Sequence, residues 1–269
     1  MIASLSQVTL GFDDDGAGTP LVLLHGFPLD RSLWAQQRRA LSMRARCITP
    51  DLRGFGESST VGPYSMDHYA DDIASLLDWL EIESAVVCGL SMGGYVAMAL
   101  WRRHADRIRG LVLCDTRATA DTDAARASRN ELIALARAEG ATAVAERQLT
   151  GLLGSTTRAR HPEIVAMMRD MLMRQPVEGI VGALEALRDR PDSRATLASV
   201  TVPTLVVVGD EDTLTPPSDA RAMIELLPVS TPAQFEIIPQ AGHLSCVERP
   251  AAVTHALAEF LATIPTDRD

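Results

Sequence analysis

Six short apolar runs recur along this chain, and each stops at a polar or glycine-bearing loop. They are Leu21-Val22-Leu23-Leu24 before HGFP, Cys47-Ile48-Thr49 before PDLRG, and Ala85-Val86-Val87-Cys88 before GLSMGG. Leu111-Val112-Leu113-Cys114 before Asp115-Thr116, Leu205-Val206-Val207-Val208 before GDED, and Phe235-Glu236-Ile237-Ile238 before PQAGH follow the same rule. Near-continuous apolarity over so few residues is what a strand buried on both faces requires, so the runs predict a parallel sheet covered by helices. Helix signals lie between them. Met66 to Leu80 sets Ile73, Leu76, Leu77 and Leu80 on one face, with Ser65 placed to cap its start, and Ala251 to Leu261 does the same with Val253, Leu257, Phe260 and Leu261. The fold class is α/β.

From about Arg117 to Ser199 the alternation stops. This segment is rich in Ala, Arg, Glu, Leu and Met, has no strand-like run, and is divided by Gly140, Gly151, Gly154, Pro162, Pro176 and Pro191. It reads as a helical insertion between two strands, placed where loops leave the carboxyl edge of the sheet and able to roof a pocket there. The expected organisation is a core unit of residues 1–116 and 201–269 and a helical unit of residues 117–200. The stretch before Leu21 is short for two full strands, so a truncated first strand pair is expected.

Charge removes several function classes. Against 35 Asp and Glu stand 25 basic residues, a net charge of −10, and every one of those bases is arginine. Without lysine there is neither a Schiff-base amine nor a Walker-type phosphate loop. The negative balance argues against nucleic acid, whose phosphates need a basic footprint. Cys47, Cys88, Cys114 and Cys246 form no CxxC pair and read as buried free thiols. The opening MIASLSQVTLGF lacks a basic then apolar leader, and no run is long enough to span a membrane, so a reducing cytoplasm is expected. No His or carboxylate cluster has metal-ligand spacing, and neither metal nor cofactor is called for.

The stretch VVCGLSMGGYVA sets Ser91 between an apolar strand and a helix-like run. A sharp strand-to-helix turn crowds its central residue, so the positions two before and two after must be small, and Gly89 and Gly93 meet that need. The turn exposes Ser91 Oγ at the sheet edge, beside a helix N-terminus that favours developing negative charge. A glycine-rich turn is also common for steric reasons alone. What lifts Ser91 above that reading is the order of possible partners downstream.

A serine hydroxyl needs a positioned base. His243 follows a strand, comes late and precedes the last helix, whereas His104, His161 and His255 lie in helix-like stretches, His68 sits near a helix start and His25 reads as structural. The base needs an orienting carboxylate. Asp212 fits because the loop Asp212-Thr213-Leu214-Thr215-Pro216-Pro217 carries it past the strand edge, while Asp210 would brace the turn. Asp115, at the end of another strand, competes for the role. Two donors must hold an oxyanion: the backbone N–H of Met92, just after the serine, and that of Phe27, next to Gly26.

HGFPLDRSLW, DLRGFGES, GLSMGG, GDEDTLTPP and QAGH, spaced as they are, resemble the α/β-hydrolase fold superfamily over essentially the whole chain. GPYSMDHYADDIASLLDWL and LVLCDT resemble the branch that holds 3-oxoadipate enol-lactonases, aryl esterases and cofactor-free haloperoxidases or perhydrolases. The resemblance implies a mostly parallel eight-stranded sheet flanked by helices, with a helical cap after the sixth strand. It implies Ser91 as nucleophile, His243 as base, Asp212 as acid, Phe27 and Met92 as oxyanion donors, and Gly89 and Gly93 as the glycines of the nucleophile turn. Branches that use an aspartate nucleophile are disfavoured by Ser91.

The expected activity is hydrolysis of esters or lactones of small molecules through an acyl-serine, with no nucleic acid or membrane partner. Three alternatives stay open. One is an enol-lactonase acting on an anionic ring-cleavage product, with Arg129, Arg169 or Arg174 meeting its carboxylate. Another is a perhydrolase or haloperoxidase side activity, suggested by Phe27-Pro28, and the last is a non-catalytic ligand-binding member of the fold. Oligomeric state and acyl-chain preference leave no trace in the sequence.

Overall fold

The computed structural model describes residues 1–265; the last four positions of the expected core unit, 266–269, lie outside the described residues. Eight strands form one sheet: β1 (Ile2–Ser4), β2 (Thr9–Asp15), β3 (Thr19–Leu24), β4 (Ala45–Pro50), β5 (Ala85–Leu90), β6 (Ile108–Cys114), β7 (Thr204–Gly209) and β8 (Ala233–Ile238). Their spatial order is β1-β2-β4-β3-β5-β6-β7-β8. β2 pairs antiparallel with β1 and with β4, and every pairing from β4 through β8 is parallel. Only the first strand is short: β2 runs a full seven residues, so the expected truncation is confined to the three residues of β1.

The apolar runs divide between the two faces with the strand period of two. Val22, Leu24, Val87, Leu111, Leu113, Val206 and Val208 pack on one side with the helices Met66–Trp79 and Met92–Arg103. Leu21, Leu23, Val86, Cys88, Val112, Cys114, Leu205 and Val207 pack on the other with Trp34, Leu41 and the C-terminal helix Pro250–Ala262. Both faces are covered, which is why the strands carry no polar alternation. Helix Met66–Trp79 starts where expected: the Ser65 hydroxyl accepts the His68 N–H. All four cysteines are free and buried.

Between β6 and β7 the chain forms five helices, Asp123–Leu152, Ser155–Arg160, Pro162–Met173, Val177–Arg188 and Arg194–Leu197. The glycine and proline punctuation is mostly realised. Gly140 adopts a left-handed φ of 81° that breaks the longest helix, Gly154 precedes Ser155–Arg160, Pro162 opens its helix and Pro176 caps the next. Gly151 is the exception: it stays inside the helix, because a single glycine costs too little to end one that tertiary contacts support.

A buried bidentate ion pair ties the loop after β4 to the sheet's flank. Arg53 donates through Nε and Nη2 to Asp72 at 2.8 and 2.6 Å, and through Nη1 to the Pro63 carbonyl at 3.0 Å. The adjacent Leu52 N–H donates to His25 Nε2 at 2.9 Å, which leaves Nδ1 as the donor to the Gly26 carbonyl at 2.8 Å. Burial pushes the His25 imidazole below its ordinary range, so it stays neutral and bonds at both nitrogens. His25 is therefore a bracket between two loops at the sheet edge, and it fixes the path of Gly26 and Phe27.

The turn from β5 into helix Met92–Arg103 leaves no room for a side chain at either flanking glycine. A Cβ on Gly89 would stand 2.1 Å from the Gly93 carbonyl oxygen, and one on Gly93 would stand 2.4 Å from that of Leu24. Both obstacles are backbone. Gly89→Ala is predicted to lower stability by at least about 1–3 kcal/mol, read from the urea midpoint. Gly151→Ala is the control: its nearest neighbour is a Leu214 methyl at 3.7 Å, so the same change there is expected to be neutral or stabilising by about 0.5–1 kcal/mol.

Candidate active site

Ser91 sits at the apex of this turn with φ 53° and ψ −112°, a conformation that costs an L-residue energy and needs its surroundings to hold it. Its backbone hydrogen bonds do so. Its N–H donates to the Cys114 carbonyl at 2.9 Å, and its carbonyl accepts from Gly94 N–H and from the Thr116 hydroxyl, each at 2.9 Å. The side chain is left pointing at His243, whose Nε2 lies 2.8 Å from Ser91 Oγ.

The three residues expected to act together are joined in one line. His243 Nδ1 is 2.8 Å from Asp212 Oδ2, so with Nδ1 as donor to the carboxylate, Nε2 is free to accept the serine proton. Asp212 is held in turn by the N–H groups of Leu214 and Thr215, at 2.8 and 3.0 Å, and by the Thr215 hydroxyl at 2.7 Å. Thr215 Oγ1 also lies 3.1 Å from His243 Nδ1. Thr215 was not singled out in the sequence; an Asp followed three positions later by Thr in a loop is the local signal of such a turn.

Asp115 is engaged elsewhere. Its Oδ1 accepts Gly209 N–H at 2.9 Å and its Oδ2 accepts Ser245 N–H at 3.2 Å and lies 2.5 Å from Ser245 Oγ. It clamps the loop that begins Asp212's segment to the one that follows His243, and makes no hydrogen bond to His243 itself.

Environment separates the two carboxyl groups further. Burial, then the nearby Asp212 charge, pushes Asp115 up to about 8, so it is protonated at neutral pH. Burial works on Asp212 in the same direction, but the His243 charge and hydrogen bond and the Thr215 donors outweigh it and hold the carboxyl below its ordinary range. His243 is fully buried, which by itself disfavours its cation, yet Asp212 raises it above the ordinary histidine value.

Glu248 was also missed. Buried at 3 % exposure, its Oε1 accepts from Gly242 N–H at 2.9 Å and its Oε2 from Gly154 N–H at 2.8 Å, fixing the His243 loop against the inserted helices. Asp210, expected to brace the same edge, is exposed; it contributes its backbone N–H to the Ile238 carbonyl at 3.0 Å. Its neighbour Glu211 does the bracing instead, accepting Thr156 N–H at 2.8 Å and the Ser155 hydroxyl at 2.9 Å.

A cavity of about 90 Å³ opens on Ser91 and His243. Phe27 lines it, and Met92, the first residue of its helix, follows the serine directly. A first helical residue has no intrahelical acceptor for its N–H, so Met92 can offer it to a bound group. The inserted helices supply Arg129, Gln148, Leu152 and Leu187 to the cavity wall, and Tyr95 and Arg117 come from the sheet side. Of the three arginines proposed to meet an anionic substrate, Arg129 alone reaches the cavity. Arg169 pairs with Glu146 at 2.9 Å on the surface, and the half-exposed Arg174 reaches the buried Asp30 at 2.7 Å.

Known proteins resemble the chain over its whole length. A 3-oxoadipate enol-lactonase of Acinetobacter baylyi is 32% identical over 255 residues, covering 94% of this chain and 91% of the relative. The solved structure of a thermophilic esterase from Thermogutta terrifontis, malate bound, superposes with a TM-score of 0.94 at 41% identity, covering 97% of this chain and 98% of that one. The enol-lactonase from Burkholderia xenovorans superposes with a TM-score of 0.89 at 32% identity, covering 97% and 100%. The sequence pattern of the alpha/beta hydrolase fold matches residues 19–250, and with this sheet order and this turn at Ser91, the chain belongs to the α/β-hydrolase fold family.

Proposed function

We propose that the protein hydrolyses carboxylic esters or lactones of small molecules through an acyl-serine intermediate. The observation that carries this reading is the unbroken line from Ser91 Oγ to His243 Nε2 at 2.8 Å and from His243 Nδ1 to Asp212 Oδ2 at 2.8 Å. Similarity to esterases and enol-lactonases supports the same chemistry.

In this reading Ser91 Oγ attacks the substrate carbonyl as its proton passes to His243 Nε2. The oxyanion is held by the backbone N–H groups of Phe27 and Met92. The imidazolium then protonates the leaving alkoxide, which departs and leaves the acyl-serine. Water enters, gives its proton to Nε2 and attacks the acyl carbon, and collapse returns the proton to Ser91 and releases the acid. Asp212 stays ionised throughout and stabilises the imidazolium. Residues 117–200 act as a cap on the core unit 1–116 and 201–269, and their side chains set the cavity's shape. Four unpaired buried thiols support a reducing, cytoplasmic setting.

Steady-state hydrolysis of p-nitrophenyl acetate, butyrate and octanoate tests the reading. Ser91→Ala is expected to lower kcat by at least about 10⁴-fold and Asp212→Asn by about 10⁴-fold. Asp115→Asn, which keeps an uncharged group of the same shape, is expected to stay within about tenfold of wild type. Equal rates in wild type and Ser91→Ala refute the mechanism, and a larger loss in Asp115→Asn than in Asp212→Asn refutes the assignment of the acid.

The pH profile is a separate check. His243 must be neutral to take the serine proton, and its pKa is raised above 6.5. Activity should therefore be full at alkaline pH and fall as pH drops through a midpoint above 6.5. Removing the Asp212 charge takes away the main raising influence, so the residual activity of Asp212→Asn should have its acid limb at lower pH. A midpoint that does not move would dissociate Asp212 from His243.

A further inference from the structure

The longest inserted helix, Asp123–Leu152, folds back on itself at Gly140. On a straight helix residues 131 and 147 would stand about 24 Å apart, more than two side chains can span. Yet Arg147 Nη2 lies 3.9 Å from Glu131 Oε2. The left-handed backbone at Gly140, φ 81°, is the break that brings the two limbs of the helix together. Their facing sides line two cavities. One is the cavity on Ser91 and His243, to which the first limb gives Arg129 and the second gives Gln148 and Leu152. The other, of about 220 Å³, is lined by Ser128, Glu131, Leu132 and Leu135 from the first limb and by Arg147 and Gln148 from the second.

Gln148 lines both cavities and so stands between them. Its side chain is half-buried and has no hydrogen-bond partner among the described residues, so packing alone keeps it in place. The two spaces differ in capacity. At about 30 Å³ per water-sized group, the 90 Å³ beside Ser91 seats roughly three such groups and the 220 Å³ beyond Gln148 roughly seven. They differ in chemistry as well. The buried part of the second cavity is apolar, formed by Leu132 and the half-buried Leu135, while Glu131 and Arg147 are exposed at its rim. An exposed ion pair of 3.9 Å does little to close that rim.

We propose that Gln148 is the residue that sets substrate length: a wall that confines the protein to esters and lactones with short arms and shuts off an apolar cleft between the helix limbs. The proposal rests on reading the Ser91 cavity as an ester or lactone hydrolase site. A hydrocarbon chain crossing from one cavity to the other would have to press on the Gln148 amide, which it cannot hydrogen-bond and would strip of water. Short arms never meet that cost. With the amide gone, the cleft offers an unbranched chain of about six to eight carbons a continuous path from Ser91 to Leu132 and Leu135. Truncating Gln148 breaks no hydrogen bond within the protein, so the fold is expected to tolerate it.

The test measures kcat/KM for ethyl acetate, ethyl octanoate and octyl acetate in wild type, Gln148→Ala, Leu135→Trp and the double variant. The wild type should favour ethyl acetate. In Gln148→Ala the ratio of long ester to ethyl acetate should rise at least about tenfold, for ethyl octanoate if the acyl arm takes the cleft and for octyl acetate if the alkoxy arm does. Leu135→Trp fills the cleft from its far side, so it should cancel the rise in the double variant while moving the wild-type ratio by less than about twofold. A wild type that favours a long ester, a ratio unmoved by Gln148→Ala, or a rise that survives Leu135→Trp overturns the proposal. If wild type and Gln148→Ala hydrolyse none of the three, the hydrolase reading fails, and octanoate binding by calorimetry then decides the cleft alone. Binding gained in Gln148→Ala and lost in the double variant upholds it, whereas no binding, or equal binding in wild type, refutes it.

Discussion

The left-handed backbone at Ser91 is the constraint on which the rest of the site depends. A residue with φ of 53° persists only where its surroundings over-determine it. Here the determination comes from bonds to β6 and Thr116 on one side and from backbone packed against Gly89 and Gly93 on the other. Because β5 lies at the centre of a sheet buried on both faces, the turn cannot relax by moving its strand. The energy of the fold is thus used to hold one hydroxyl clear of the sheet edge, within 2.8 Å of an imidazole 152 positions away.

The partners of that hydroxyl are held by neighbouring strand ends. β7 ends at Gly209 and leads into Asp212; β8 ends at Ile238 and leads into His243. The buried carboxyl of Asp115, from β6, bonds to both of these loops. One carboxyl is kept ionised by donors and an imidazole and the other is kept neutral by burial beside the first charge, so two chemically identical groups that both feel the charge of the same histidine differ in ionisation. Position in the sheet gives both aspartates access to the site, and local hydrogen bonding decides what each can do there.

The inserted helices complete the cavity rather than the line of Ser91, His243 and Asp212. They bring Arg129, Gln148 and two leucines over Ser91, and are fastened to the core through Glu248, which holds Gly154 and the His243 loop with one carboxylate. The shape of the cavity and the position of His243 are therefore coupled through this buried side chain. Within the α/β-hydrolase fold, loops and insertions at the carboxyl edge of the sheet are where one scaffold is turned to different substrates.

Much of this was legible in the chain itself. The apolar runs marked the six central and C-terminal strands, since a strand buried on both faces has no freedom to be polar; GLSMGG marked the turn, since no larger residue fits at 89 or 93; and the order Ser91, Asp212, His243 marked the line of partners. Other features were decided only in three dimensions. Whether Asp212 or Asp115 meets His243, that Arg129 reaches the cavity while Arg169 and Arg174 find carboxylates elsewhere, and that Thr215, Glu248 and Arg117 belong to the site, all depend on how loops from separate strands approach one another. Local pattern reports which residues are buried and which turns are forced, because burial and backbone sterics act on neighbours in sequence. It does not report the meeting of side chains a hundred positions apart, because that distance is set by the packing of the whole sheet and its inserted helices.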